Sequence, residues 1–243
     1  MSTDENIFLA RVAEQAERFD DMVDFLRPVI KSKGATLSIE ERNLLSVGFK
    51  NLVSSKRTAL RTISAIEQNP KYSKYSEPMG QYKKKIEDEL YNNCEDIINT
   101  VNTDIMKSAT EAETKSFFMK MVGDYYRYIA EAASGDRLEK VKQDALKNYN
   151  DASELANASL NPCNAIRLGL ALNFSVFHYE VMSDVKTACT LGEKALQDAL
   201  EKLDDVDEET FRDAQSIIEL LRENLSLWKE EEEEGKGKNV EDL

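Results

Sequence analysis

RLGLALNFSVFHYE, residues 167–180, is the stretch on which the interpretation of the chain depends. It has a helical composition and is apolar on almost every side, which is typical of a helix buried in a protein core. At about 100° per residue, however, Asn173 and Glu180 share one stripe with Leu172 and Val176. The stripe is therefore either part of a core whose polar groups have internal partners or one wall of a binding groove.

The rest of the 243-residue chain also favours helices, because it holds only nine glycines and four prolines and shows no alternating strand pattern. Its hydrophobic fraction of 41% is sufficient for a sizeable core. Capping residues and helix breakers divide the chain into about nine helices, so we predict an all-α fold. The predicted limits are about 4–18, 20–32, 38–67, 79–105, 110–133, 136–158, 161–180, 186–203 and 208–230.

Several local signals support these limits. Ser38 and Glu41 form a capping box at the start of the third helix, and Gly34 ends the second. Pro28 lies inside the second helix and is expected to kink or shorten it. Asn161, followed by Pro162, predicts the start of the seventh helix. In the last helix, Phe211, Ala214, Ile218, Leu221, Leu225 and Trp228 form the expected core stripe.

We predict one helical domain over residues 1–230 and an acidic, disordered tail over residues 231–243. The tail, with a run of glutamates followed by GKGKNVEDL, has nothing apolar enough to bury. Because it is acidic, it is also a candidate to fold back over a cationic site.

The composition excludes several functions. With 46 acidic and 32 basic residues, the net charge of −14 repels nucleic acid and anionic membranes. The N-terminus is charged and no apolar run approaches the ~20 residues that span a bilayer, so we predict no membrane insertion. A cytoplasmic location is expected, with the nucleus as an additional compartment.

Catalytic and cofactor chemistry have little support in the sequence. Cys94, Cys163 and Cys189 lack disulfide or zinc spacing and are expected to be buried hydrophobic residues. The single histidine, His178, is expected to be a hydrogen-bonded core residue. No glycine-rich nucleotide motif is present, so we predict no metal, no cofactor and no catalytic residue.

One part of the chain has an unusual charge pattern. Residues 43–66 contain no Asp or Glu, yet Lys50, Arg57 and Arg61 fall within roughly 40° of each other on the predicted helix. Like charges on one face repel, and no glutamate four residues away relieves them. This face is either simply solvated or a site for an anion.

Two other helices contribute to the same question. Lys120, Asp124, Arg127 and Glu131 form a mixed-charge face that would usually be solvated, but the guanidinium of Arg127 could grip a phosphate with help from the Tyr128 phenol. In the last helix, a second stripe again places an amide among apolar residues. Its members are Ile217, Leu220, Asn224 and Leu227. Two such stripes predict a groove, because an amide can pair with the backbone of an extended peptide.

Five segments of the chain resemble the 14-3-3 proteins closely. They are AEQAERFDDM (13–22), RNLLSVGFKN (42–51), GDYYRYIAE (123–131), RLGLALNFSVFHYE (167–180) and LLRENLSLW (220–228). The resemblance runs through all nine helices. It implies a cup of nine antiparallel helices with an amphipathic groove, dimeric through the first four helices. It also implies a non-catalytic adaptor that binds phosphoserine or phosphothreonine motifs of partner proteins.

The resemblance assigns roles to individual residues. Lys50, Arg57, Arg127 and Tyr128 would hold the phosphate, with Arg61 and Lys120 flanking it. Asn173 and Asn224 would bond the peptide backbone, while Asp124 and Glu180 would pair with nearby cations or peptide groups. The apolar wall would consist of Leu172, Val176, Ile217, Leu220 and Leu227.

The resemblance also implies a homodimer, or a heterodimer with paralogues. Its apolar contacts would be Val12, Ala16, Ile63 and Tyr82. The ion pairs between subunits would be Arg18 with Glu89, Asp21 with Lys85, and Glu5 with Lys74. Surface ion pairs contribute only ~0–1 kcal/mol each, so the apolar contacts should dominate.

Several positions depart from the family pattern. Ala59 replaces a phosphorylatable serine of many members, and Leu60 replaces the usual tryptophan. Ser216 replaces a leucine of the groove wall, Ser183 is not followed by proline, and Phe49 replaces a tyrosine. Two alternatives to the adaptor remain: a tetratricopeptide-like scaffold, which the absence of a 34-residue repeat argues against, and a hydrolase using Asp124 or Glu180, which lacks a nucleophile and base pair.

Overall fold

The computed structural model describes residues 1–241, with side chains described for residues 1–232. Within that part of the chain all regular secondary structure is helical, which confirms the all-α fold class. The α-helices are α1 (Thr3–Gln15), α2 (Phe19–Lys33), α3 (Ile39–Glu67), α4 (Ser76–Thr100), α5 (Ala112–Ala130), α6 (Gly135–Ser159), α7 (Ala165–Glu180), α8 (Val185–Leu200) and α9 (Glu208–Glu241). A π-helical turn, Val101–Ile105, extends α4.

The helices form two compact units. The first comprises residues 1–110 and 128–138, and the second comprises residues 111–127 and 139–243. In the first unit α1 packs on α2, α2 on α3 and α3 on α4, while in the second α7, α8 and α9 pack on one another. Consecutive helices that are joined by short turns and packed side by side run antiparallel. The single domain over residues 1–230 stays a prediction.

Two of the helix limits follow from the capping chemistry that the sequence indicated. The Ser38 hydroxyl accepts a hydrogen bond from the Glu41 N–H at 3.2 Å, and the Glu41 carboxylate accepts one from the Ser38 N–H at 2.9 Å. Gly34 stops α2 with a φ of 52°, and its N–H donates to the Ile30 carbonyl. A φ in this range favours glycine, so these limits are confirmed.

The prediction that α7 begins at Asn161 is wrong. Asn164 caps α7, because its side-chain oxygen accepts from the N–H groups of Ile166 at 2.9 Å and Arg167 at 3.3 Å. Asn161 instead accepts from the N–H of Cys163 at 2.8 Å and closes the turn before the helix. Both asparagines carry the same capping chemistry, and only the tertiary course of the chain decides between them.

Two further expectations need correction. Pro28 does not shorten α2, which continues to Lys33 with Val29 and Ile30 buried directly after the proline, while the expected kink stays a prediction. Burial of such side chains offsets the hydrogen bond that proline removes from the helix. Phe211 is 37% exposed rather than part of the α9 core stripe, which begins one turn later at Ala214.

Aromatic rings dominate the core of the second unit. Tyr149 and Phe177 are fully buried, and the Tyr149 ring stacks on Phe174 with 5.2 Å between centroids. The three cysteines are buried and unbridged, as predicted. His178 is buried against Phe174, but its Nδ1 has no hydrogen-bond partner among the described residues, so the expectation of a satisfied histidine is wrong.

The predicted tail, residues 231–243, lies for the most part outside the residues whose side chains are described, and its disorder stays a prediction. In the described part of the chain, no helix combines the length and the apolar character needed to cross a bilayer.

Candidate functional site

Four residues of the first unit form what we call the Arg57 cluster: Arg57 and Arg61 on α3, with Tyr128 and Glu131 at and just beyond the end of α5. Arg57 donates to the Glu131 carboxylate from Nε at 2.9 Å and from Nη2 at 2.7 Å. Arg61 donates to the same carboxylate at 3.3 Å. The guanidinium carbon of Arg57 lies 3.9 Å from the centroid of the Tyr128 ring. One edge of the Arg57 guanidinium is thus fixed by Glu131, and one of its faces is fixed by the Tyr128 ring.

The other edge of the Arg57 guanidinium remains available for a ligand. Nη1 donates to no described residue, although the side chain is only 18% exposed. A guanidinium can grip an oxyanion through two parallel N–H groups, and the edge formed by the two terminal nitrogens suits that geometry. The bond to Glu131 therefore orients Arg57 and leaves the edge formed by its two terminal nitrogens for an oxyanion.

Helix α3 presents these cations because its opposite face is apolar. Phe49, Leu52, Val53 and Leu60 are buried, whereas Lys50 and Arg61 are exposed and Arg57 is partly exposed. Lys50, two turns before Arg57, is exposed and makes no ion pair with a described residue. The basic face expected from the sequence is present on α3, with Leu60 buried where family members have tryptophan.

The second unit contains the Asp124 cluster. Its members are Lys120, Asp124 and Arg127 on α5, Tyr149 on α6, and Asn173 and Glu180 on α7. Asp124 accepts hydrogen bonds from Lys120 at 2.8 Å and from the Tyr149 hydroxyl at 2.6 Å. The Asn173 amide nitrogen donates to both of its oxygens, at 2.9 and 3.0 Å. The Asp124 carboxylate thus joins three helices.

The protonation state of Asp124 follows from these contacts. Burial alone would raise the pKa of this carboxyl. The positive charges of Lys120 and Arg127, together with hydrogen bonds from Lys120 and Tyr149, outweigh burial and hold its pKa below the ordinary value. Asp124 is therefore ionised at neutral pH and acts as the internal counter-charge of the cluster.

Arg127 is buried, and the residues around it fix its orientation. Its nitrogens lie 3.6 Å from Asp124 and 3.8 Å from Glu180, and its Nε donates to the Tyr149 hydroxyl at 3.3 Å. The mixed-charge face of α5 is therefore not a solvated surface, since Asp124 and Arg127 are each only 6% exposed. Asp124 and Glu180 pair with cations as the family resemblance implied.

Sequence reasoning did not identify Tyr149. Its position depends on Gly123, because a Cβ at residue 123 would lie only 3.0 Å from atoms of the Tyr149 ring. The phenol reaches Asp124 because α5 has no side chain at that point. The sequence signal for this close approach of α5 and Tyr149 is a glycine inside a helical pattern, in the segment GDYYRYIAE.

The predicted apolar wall lies on α7 and α9, which pack together in the second unit. Leu220 and Leu227 are large apolar side chains that are 48% and 52% exposed. Asn224 is half-buried between them on the same stripe. The other members of the wall are partly buried and pack against the core: Leu172, Val176 and Ile217.

The residues expected at a dimer interface lie on the first unit. Val12 and Tyr82 are 47% and 57% exposed, and Ala16 is exposed as well. The charged residues have partners within the chain: Arg18 pairs with Asp21 at 2.8 Å, and Lys85 with Glu89 at 4.0 Å. Glu5 accepts from the backbone N–H of Ser2 in a capping box.

The similarity of this chain to known proteins covers nearly its whole length. The family model described as 14-3-3 protein matches residues 9–229. The chain belongs to the 14-3-3 family. It is 43% identical over 230 residues to 14-3-3 protein 3 of Entamoeba histolytica, covering 93% of this chain and 95% of the relative. It is 45% identical over 234 residues to the 14-3-3-like protein GF14 psi of Arabidopsis thaliana (94% and 91%) and 42% identical over 238 residues to 14-3-3 protein beta/alpha of Rattus norvegicus (98% and 96%).

Membership in the 14-3-3 family settles the general class of function. Members are non-enzymatic adaptors that bind partner proteins and form dimers. The alternatives of a tetratricopeptide scaffold and of a hydrolase are therefore wrong. Asp124 is saturated with hydrogen bonds and Glu180 is paired with Arg127, so neither carboxylate is arranged as a general base.

Proposed function

We propose that this 14-3-3 protein binds phosphoserine or phosphothreonine segments of partner proteins and thereby regulates them. The observation that carries the proposal is the orientation of Arg57. Its guanidinium is held by Glu131 and stacked on Tyr128, with its terminal edge free of hydrogen bonds to described residues. A fixed, partly desolvated guanidinium loses little conformational entropy when it binds an oxyanion.

Arg127 supports the same proposal from the second unit. It is buried, positioned by Asp124, Tyr149 and Glu180, and adjacent in sequence to the phenol of Tyr128. Lys50 and Arg61 add exposed positive charge on α3. We assign Arg57, Arg127, Tyr128 and Lys50 as phosphate ligands.

Charge explains why the ligand would have to be phosphorylated. A phosphoseryl group carries about −1.5 to −2 charges at pH 7, more than any single carboxylate that accompanies these cations. Hydrogen bonds to charged groups contribute roughly 1.5–3 kcal/mol each, and a serine hydroxyl cannot replace them. The unphosphorylated peptide would have to displace water from fixed cations without supplying a counter-charge.

The peptide backbone and side chains would be read by the second unit. Because the Asn173 nitrogen donates to Asp124, its Oδ1 is left to accept a backbone N–H of the ligand. Asn224 is the second amide assigned to the backbone. The exposed Leu220 and Leu227 would cover apolar side chains of the peptide.

Fluorescence anisotropy of a labelled phosphoserine peptide and its unphosphorylated twin, with the full chain, tests the proposal. We expect the phosphopeptide to bind at least 100-fold more tightly, which corresponds to about 2.8 kcal/mol. Arg57→Ala and Arg127→Ala should each remove most of that difference.

The matched control is Arg137→Ala. Arg137 also stacks on a tyrosine, Tyr91 at 4.1 Å, and pairs with a glutamate, Glu95 at 3.2 Å, but has no assigned role in binding. Its variant should bind the phosphopeptide as the unmodified chain does. Equal binding of the two peptides, or an Arg57→Ala variant that stays helical and keeps full affinity, would overturn the proposal.

A further inference from the structure

An open groove, which we call the outer groove, lies between helices α8 and α9 of the second unit. Its volume is about 610 Å³, within the roughly 300–1,000 Å³ of typical ligand sites. The residues that line it are Glu193, Leu196, Gln197 and Leu200 on α8, Glu201 directly after α8, and Arg222, Leu225, Ser226 and Lys229 on α9.

The floor of the outer groove is apolar. It consists of Leu196, Leu200 and Leu225, and Leu200 is 42% exposed. Gly192 allows the two helices to approach at this level, because a Cβ there would lie 3.2 Å from the side chain of Leu225. An exposed apolar side chain between two packed helices offers a surface that a third helix could cover, which would bury apolar area.

The two walls carry opposite charges. Along α8 and its C-cap, Glu193, Gln197 and Glu201 recur every four residues and form a row about 12 Å long that carries a carboxylate at each end. On α9, the row formed by Arg222 and Lys229 is basic. At one end the rows meet in an ion pair, since Lys229 lies 2.6 Å from Glu193 and both side chains are about half exposed. At the other end, Arg222 forms no ion pair with a described residue.

The outer groove is separate from the stripe assigned to phosphopeptide binding. Ser226 lies two residues, or about 200°, from Asn224 on α9, so the two stripes face nearly opposite ways. A ligand in the outer groove would not compete directly with a peptide on the Leu220, Asn224 and Leu227 stripe.

We propose that the outer groove binds an amphipathic helix of a partner protein. Its apolar stripe would pack on Leu196, Leu200 and Leu225, as a third helix packs on an antiparallel pair in a bundle. Its basic flank would face Glu193 and Glu201, and its acidic flank would face Arg222 and Lys229. A helix with one sign of charge on both flanks would be repelled by one of the two walls.

The groove accommodates about two turns of helix, so binding by this contact alone is weak. Its specificity lies in the pairing of one acidic and one basic flank. This inference goes beyond phosphopeptide binding and does not depend on it.

Three 18-residue peptides with the same leucine stripe test the proposal. The first carries lysines on one flank and glutamates on the other, the second carries glutamates on both flanks, and the third carries lysines on both. A peptide with the two flanks exchanged is not a useful control, since a helix that reverses its direction in the groove presents the same flanks. Anisotropy with the full chain should show the first peptide binding at least tenfold more tightly than either other peptide.

Leu200→Glu should weaken binding of the first peptide at least tenfold, since it places a charge on the groove floor. Ile39→Glu is the matched control, because Ile39 is 66% exposed in the first unit, and it should change nothing. Affinity for a phosphoserine peptide, measured on the same variants, should stay unchanged, which keeps this test independent of the proposed function.

Reversing the charge of the acidic wall tests the proposed charge pairing more directly. Glu193→Lys combined with Glu201→Lys makes both walls basic, so the preference should move from the mixed peptide to the peptide with glutamates on both flanks. Glu77→Lys combined with Asp88→Lys changes the net charge equally in the first unit and should leave the preference as it was. Equal binding of all three peptides, or no effect of Leu200→Glu, would overturn the proposal.

Discussion

Arg57 and Arg127 are each held by carboxylates of the chain, and this arrangement has two opposing effects. Glu131 for Arg57, and Asp124 with Glu180 for Arg127, reduce the net attraction that the cations exert on an anion. The same carboxylates hold the guanidinium groups in one orientation and prevent them from forming ion pairs with other groups. Under the proposed function, a dianionic phosphate would gain from this order because it carries more charge than any one of these carboxylates.

At the same scale, His178 should make stability depend on pH. Burial lowers the pKa of this histidine below its ordinary value of 6.5, although the charge of Asp184 acts against the shift. The folded chain therefore disfavours the protonated ring. Its contribution to stability is complete above about pH 6.5 and is lost as the pH falls below that value.

Urea unfolding at pH 7.5 and pH 5.5 checks this prediction, with His178→Phe as the comparison. The phenyl ring suits the aromatic surroundings of Phe174 and Phe177, and it has no orphaned nitrogen. Between the two pH values, the unmodified chain should lose more free energy of unfolding than the variant does. Parallel losses in the two proteins would contradict the prediction.

The sequence predicted residue roles unevenly. Roles could be assigned to Arg57, Arg127 and Tyr128 from the sequence because charge spacing and family motifs lie within single helices; these roles stay predictions. Tyr149 was missed and Glu131 was left without a role, because their partners are Asp124 and Arg57, 25 and 74 residues away along the chain. No local pattern records contacts between helices that far apart.

At the scale of elements, Pro28 is the clearest departure from an ideal helix. It lies in the interior of α2 on an exposed position and has no N–H to donate along the helix. Pro28→Ala restores that hydrogen bond, so we expect the free energy of unfolding to rise by about 1–3 kcal/mol. Lys31→Ala, an exposed change on the same helix, should shift it by less than about 0.5 kcal/mol. A stability of Pro28→Ala equal to or below that of the unmodified chain in urea would show that α2 gains nothing from the restored bond.

The number and type of helices could be predicted, but several of their ends could not. Gly34 and the pair Ser38 and Glu41 mark their helix limits unambiguously, because glycine at positive φ and a reciprocal capping box have few other uses. Asn161 and Asn164 offer the same capping group three residues apart. Which of them begins α7 depends on packing against α8 and α9, which the sequence does not display.

At the scale of the whole molecule, we expect this 14-3-3 chain to form a homodimer through its first four helices. Light scattering should give about twice the protomer mass of 27.6 kDa. Val12→Glu combined with Tyr82→Glu should shift the mass toward the protomer, because both side chains are large, apolar and exposed. Leu220→Glu, an equally exposed leucine in the second unit, should leave the dimer intact.

Salt should have less effect on this dimer than the loss of apolar contacts. Arg18 already pairs with Asp21 within the chain, and Lys85 with Glu89, so cross-subunit pairs would only exchange one partner for another. Exchanging one ion-pair partner for another contributes little to the free energy of dimerisation, and salt screens the pairs in both the monomer and the dimer. A dimer that dissociates in 0.5 M NaCl but tolerates the Val12 and Tyr82 substitutions would contradict this view.

Trp228 is the only tryptophan of the chain, and it is 3% exposed and stacked on Tyr179 with 5.0 Å between ring centroids. Its fluorescence therefore reports on the packing of α7 against α9 in the second unit alone, without any label. Far-ultraviolet circular dichroism reports on all helices together. If the two signals change at different temperatures, the two units melt separately; a shared midpoint means that they unfold as one cooperative body.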